Sequence, residues 1–154
     1  MMKRYAFTMI ELIFVIVVLG ILASVALPKM GSTLEAGYIA SAQGDVSAIR
    51  ASIASVRQKQ LVKGTNTFIP KLSVGGTVAG EAVFDGDGTN DLLTYPIVAK
   101  AVGGWIRTGA QTYKFSIDSA TSTTFTYYPT ASGTHKAGTF DCDHTDDICK
   151  RIVE

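Results

Sequence analysis

Two patterns of apolar residues follow one another along the first third of the chain. From Phe7 to Leu27 the sequence is apolar on every side, and Glu11 is the only charged residue among those 21 positions. Read as a helix rising about 1.5 Å per residue, the segment is roughly 31 Å long and matches a bilayer hydrocarbon core of about 30 Å, so it is expected to span a membrane. Past Pro28 the pattern narrows to a stripe. Ile39, Ala42, Val46, Ile49, Ile53 and Val56 recur at spacings of three and four, with Asp45, Arg50, Arg57 and Lys59 assigned to the opposite side. The helix is expected to continue to about Val62, where Lys63-Gly64 supplies a basic last turn and a terminating glycine. Pro28 lacks an N–H and predicts a kink, and Gly20, Gly31, Gly37 and Gly44 add weak points of about 1 kcal/mol each. A coiled coil could cover the stripe, but the stripe is short and leads directly into strand-like sequence, so a sheet is the expected cover.

From Thr65 onward the residues turn to Thr, Val, Tyr, Phe and Gly, a strand and turn composition. Phe68 to Leu72 and Thr77 to Phe84 read as strands, while Leu92 to Val102 reads as an edge strand or a short helix begun at Pro96. Tyr113, Phe115 and Ile117 alternate, as do Phe125 and Tyr127, with Asp118 to Ser122 as the loop between them. Trp105 is expected in the core between helix and sheet. The predicted fold is α+β: one long helix laid across a small antiparallel sheet.

Charge bears on topology more than on partners. The formal net charge is +1, and without Lys3 and Arg4 the remainder carries 12 basic against 13 acidic side chains. Binding to nucleic acid by bulk electrostatics is not indicated. The Lys3-Arg4 pair before the apolar run holds the N-terminus in the cytoplasm and directs the rest of the chain outward. A carboxylate inside such a run costs on the order of 2.5 to 3.5 kcal/mol near the bilayer centre, which calls for a functional partner.

Lys3-Arg4, a small residue, then Phe7-Thr8-Met9-Ile10-Glu11-Leu12 and a long apolar helix resemble the prepilin leader and N-terminal helix of type IV pilins and the related type II secretion pseudopilins. The resemblance covers roughly residues 3 to 30. It implies that a prepilin peptidase on the cytoplasmic side cuts the Ala6–Phe7 bond and methylates the new Phe7 amine, that Glu11 serves assembly, and that Pro28 bends the helix. Ala6 departs from the family, where Gly usually precedes the cut. The implied organisation is a leader over 1–6, a transmembrane and assembly helix over 7–28, its amphipathic continuation over 29–63, and a globular β domain over 64–154. The implied partners are further copies of the chain in a helical homopolymer, the peptidase, inner-membrane pilus or secretion machinery, and lipid before assembly. The implied location is the bacterial inner membrane, then a periplasmic or extracellular filament. An ordinary signal peptide ending at Ser24-Val25-Ala26 is the competing reading, and it leaves Glu11 unexplained.

Cys142 and Cys149 are the only cysteines. In an exported domain they read as a disulfide, worth roughly 2.5 kcal/mol on the chain-entropy model. Pilins commonly close a C-terminal loop in this way. A metal site of Cys142, His144 and Cys149 is the rival, with a spacing that matches no common zinc pattern. Asp85, Asp87, Thr89 and Asp91 place oxygens at alternate positions with small residues between them. The stretch is open to two readings: the start of a calcium loop, lacking the Gly and the bidentate Glu of an EF-hand, or a polar Asp-Gly turn. No catalytic motif stands out, and no cofactor beyond calcium is suggested. A filament subunit therefore leads over a membrane-anchored periplasmic binding domain and over a secreted enzyme, because an anchor needs neither Glu11 nor the bending residues.

Overall fold

The computed structural model describes residues 7–154, apart from the side chains of residues 26–30 and 32. Helix α1 runs over Met9–Val62, and the chain divides into two compact units, one ending at Gly37 and the other spanning Tyr38–Glu154. The helix carries on through residue 28, although the Pro28 side chain is outside the description.

In the second unit the predicted stripe is the buried one. Ile39, Ala42, Val46, Ile49, Ile53 and Val56 all lie in the core. Asp45 departs from its predicted place on the opposite side. It directly precedes Val46 and stands three residues after Ala42, which puts it on the flank of the stripe, where its Oδ2 accepts a 2.9 Å bond from the Trp105 indole Nε1. The helix stops where expected, with Gly64 in the left-handed region at φ 83° and the Thr65 N–H returning to the Gln60 carbonyl.

The expected sheet cover is four antiparallel strands in the order β3 (Gly104–Arg107), β4 (Thr112–Ser116), β5 (Ser122–Tyr128) and β6 (Thr139–Cys142). Register sets Trp105 opposite Phe115, Tyr113 opposite Phe125, and Tyr127 opposite Phe140. All six are buried, so one face of the sheet is a continuous aromatic layer. Phe84 joins it from outside the sheet, stacked on Tyr113 at 4.6 Å and edge-on to Trp105 at 5.5 Å. The β4–β5 loop falls where the alternation placed it, its turn fixed by Asp118 Oδ1 accepting from the Ala120 and Thr121 N–H groups.

Between helix and sheet the strand expectations need correction. Phe68 to Leu72 is irregular chain held by phenols: the Tyr127 hydroxyl donates to the Ile69 carbonyl and the Leu72 N–H donates to the Tyr113 hydroxyl. Apolar Ile69 and Leu72 are buried there without a ladder. Of Thr77 to Phe84, only β1 (Ala82–Val83) pairs. Phe84 itself, at φ 62°, cannot continue a strand. Its N–H instead donates to the Ser73 Oγ at 2.6 Å, and its fully buried ring offsets the backbone strain. Leu92 to Val102 yields the edge strand rather than the helix: β2 (Ile97–Val98) begins directly after Pro96 and pairs with β1. The α+β class stands as predicted, with β3, β6 and a short helix α2 (Asp147–Val153) beyond what periodicity gave.

Candidate functional site

The first site lies at the start of α1. Phe7 and Thr8 precede the helix, and Phe7 is exposed. The Glu11 N–H donates to the Thr8 hydroxyl oxygen at 3.3 Å, while the Thr8 N–H and hydroxyl both point back at Glu11 Oε2 at 3.5 Å. This reciprocal Thr-x-x-Glu arrangement is a capping box, and it satisfies backbone donors that the helix start would leave orphaned. A carboxylate in the first turn also suits the positive end of the helix dipole. Reading Glu11 as a lone charge misses this spacing, which is legible in Thr8-Met9-Ile10-Glu11.

Past that turn the helix displays apolar side chains on all sides. Met9 is 78% exposed, Phe14 69% and Leu22 61%, and open space surrounds Gly20. Among the described residues no helix is long and apolar enough to cross a membrane. The side chains of residues 26–30, which close the expected span, lie outside the description. Ala6, on the other side of the expected cleavage bond, lies outside the described residues.

In the second unit the Asp85–Asp91 stretch is a turn that satisfies itself. Asp87 Oδ1 accepts from the Thr89 and Asn90 N–H groups, and the Asn90 side-chain amide also donates to that carboxylate. Partial burial works against the Asp87 charge, but the Asn90 and Thr89 amides together outweigh it and hold the carboxyl below the ordinary aspartate range. Asp85 Oδ1 is turned to the Val74 N–H at 3.0 Å. Gly86, at φ 103°, leaves no room for a Cβ against the Asn90 carbonyl, so only glycine closes this turn. Among the described residues no three carboxylate, histidine or cysteine side chains stand together as a metal would need, so Asp85, Asp87 and Asp91 do not converge here.

Cys142 and Cys149 are joined, with Cα atoms 5.8 Å apart, which ties β6 to α2 and excludes the metal reading of Cys142, His144 and Cys149. Asp141 anchors the same corner. It accepts from Arg50 of α1 at 3.0 Å, and the His144 Nε2 lies 3.2 Å from both of its oxygens. His135 stacks flat on Tyr128 with ring centroids 4.2 Å apart. Asp146 caps α2 through the Ile148 N–H, a signal present in the Asp-Asp pair before the apolar residues and missed by strand-period reading.

Comparison with known proteins bears on the first site alone. Residues 1–27 match the family model described as the prokaryotic N-terminal methylation motif. This is the prepilin-type motif of type IV pilins and pseudopilins, and the matched span holds Ala6, Phe7, Thr8 and Glu11. No curated protein and no solved structure matches the chain.

Proposed function

We propose that the chain is a structural subunit of a type IV pilus or pilus-like filament, cut between Ala6 and Phe7, N-methylated at Phe7 and polymerised through α1. The observation that carries this reading is the methylation-motif match over residues 1–27 combined with an apolar surface on α1 that is exposed among the described residues. Before assembly, lipid of the inner membrane covers that surface. In the filament, the same helix of neighbouring copies replaces lipid. The peptidase and the inner-membrane assembly machinery are the partners this route requires.

Cleavage gives Glu11 a second partner. Before the cut the Phe7 nitrogen is a neutral amide; afterwards, methylated, it is a secondary ammonium. Glu11, held one turn away by Thr8, can pair with its own amine or with the Phe7 amine of a neighbour already in the filament. Where water is scarce, removing one partner of such a pair costs roughly 3 to 5 kcal/mol. Two measurements test the reading. Mass spectrometry of the mature N-terminus should find methylated Phe7, and a terminus at Leu27 would mean an ordinary signal peptide. Glu11→Ala should reach the membrane and be cleaved yet give little sheared filament; normal filament yield would remove the intersubunit pairing.

A further inference from the structure

Residues 75–81 form a strap across the second unit with little apolar substance of its own. Every residue from Thr77 to Glu81 is exposed, and a glycine in the left-handed region stands near each end, Gly76 at φ 87° and Gly80 at φ 96°. Such a segment has few buried contacts to resist local opening. What holds it is one carboxylate oxygen. Glu81 Oε2 accepts from the Gly76, Thr77 and Val78 N–H groups at 3.1, 3.0 and 3.2 Å, and from the Thr77 hydroxyl at 3.3 Å. Three successive backbone donors are turned to a single charge, and hydrogen bonds to an ionised acceptor are the stronger kind.

The strap lies along a free side of the main sheet. β3 is an edge strand, and its Arg107 N–H donates outward to the Gly76 carbonyl at 2.7 Å. Gly76 also rests on buried Val83 of β1, where any Cβ would strike that side chain. At the other end the Gly80 N–H donates to the Ala99 carbonyl at 2.9 Å, and the Ala99 N–H donates to the Glu81 carbonyl at 2.8 Å. The charged groups nearby are engaged elsewhere. Lys100 lays its stem against Gly104, the Arg107 guanidinium donates to the Ser73 carbonyl at 3.1 Å, and Asp85 Oδ1 accepts from the Val74 N–H. Among the described residues no ion pair reaches Glu81. The Val78 N–H above all, then those of Thr77 and Gly76 with the Thr77 hydroxyl, outweigh desolvation and hold its carboxyl below the ordinary glutamate range.

We propose that Glu81 is an acid-released latch: ionised, it keeps the strap closed over Val83 and the outer edge of β3, and protonated, it lets residues 75–81 open while the rest of the second unit stays folded. Among the described residues no other acceptor serves the Gly76, Thr77 and Val78 N–H groups, so loss of the charge removes what gathers them. The closed strap binds the proton more weakly than the open one. Closure is therefore fully present above the ordinary glutamate value of the open strap, weakens by up to about tenfold per pH unit as pH falls from there, and levels off below the lowered value of the closed strap. Opening bares the Arg107 N–H, an edge donor of the kind that recruits another strand. The latch lies wholly within the Tyr38–Glu154 unit and is independent of the filament reading.

The test is amide hydrogen exchange of the full chain in detergent micelles, resolved to single residues and expressed as protection relative to the intrinsic rate at each pH. Protection at Gly76, Thr77 and Val78 should fall by up to about tenfold per pH unit within that window, while the amides of β4 and β5 keep theirs. In Glu81→Gln, whose side chain carries no charge at any pH, protection at the same three residues should be low and level. Protection in the parent that does not change with pH, or that falls only in step with β4 and β5, overturns the latch. So does a Glu81→Gln chain that keeps the parent's pH dependence. If near-ultraviolet dichroism shows that Glu81→Gln does not fold, the comparison of the strap with β4 and β5 in the parent decides.

Discussion

The two stretches of α1 use similar residues for opposite ends. Ile16 is 58% exposed, while Ile49, further along the same helix, is fully buried against the aromatic layer. Both stretches are rich in aliphatic side chains. The difference lies in what is polar. Up to Val25 almost nothing is, so no side of the helix is marked as outward; after Tyr38 the polar flank restricts burial to one stripe that a sheet of matching width can cover. A helix that is apolar all round demands partners beyond its own unit, whereas a striped helix finds them in its own fold.

Truncating Trp105 should separate the two stretches most sharply. Trp105→Ala removes a fully buried ring that meets Phe115 and Phe125 and leaves Asp45 without its indole donor, for an expected loss of about 3 to 5 kcal/mol. Thermal unfolding of the second unit, Tyr38–Glu154, here called the head, followed by near-ultraviolet dichroism, should show a large drop in midpoint. Ile16→Ala should leave that midpoint unchanged and alter only membrane retention or filament yield. A comparable drop from both would mean that the first stretch packs on the head.

The disulfide should come next in size. Closing the loop between Cys142 and Cys149 is worth roughly 2.5 kcal/mol on the chain-entropy model, so Cys142→Ser with Cys149→Ser should unfold at lower denaturant with the head otherwise native. Alkylation of native material before and after reduction should label two thiols only after reduction.

Asp45 gives a smaller effect with a defined sign. Burial lifts its carboxyl above the ordinary aspartate range, and the Trp105 indole offsets that only in part. The folded head therefore keeps this proton to a higher pH than the unfolded chain does. Its share of stability is greatest below the ordinary aspartate value, falls as pH rises toward the raised one, and is level above that. Asp45→Asn keeps an oxygen for the indole and should flatten this part of the pH profile while being no less stable at neutral pH. An Asp45→Asn chain that instead loses a rise in stability with pH, relative to the parent, would show that the carboxylate is stabilised by a partner other than Trp105.

Calcium at the Asp85–Asp91 loop, which would require Asp87 to release its own turn, should produce the smallest effect. A modest rise in midpoint with millimolar calcium over chelator, abolished in Asp87→Ala, would support the calcium-loop reading through mass action. Equal midpoints leave a hydrogen-bonded turn.

Local chemistry made much of this protein legible before folding. The processing motif, the Thr8–Glu11 cap, the Ile39-to-Val56 stripe, the end of α1 at Gly64 and the alternation in β4 and β5 all depend on neighbours within a few residues. The cysteine pair was readable for another reason, since two cysteines allow one pairing. What only the tertiary structure decided depends on distant partners. Phe68 to Leu72 has strand composition, yet hydroxyls of Tyr113 and Tyr127 from the far side of the core take its backbone groups. Phe84 accepts a left-handed backbone because its ring completes the aromatic layer. Asp45 looked like a surface charge until Trp105, sixty residues later, came to rest against it. In each case a side chain distant in sequence supplied the hydrogen bond or burial that outweighed the local preference, and no short-range pattern records which side chain that is.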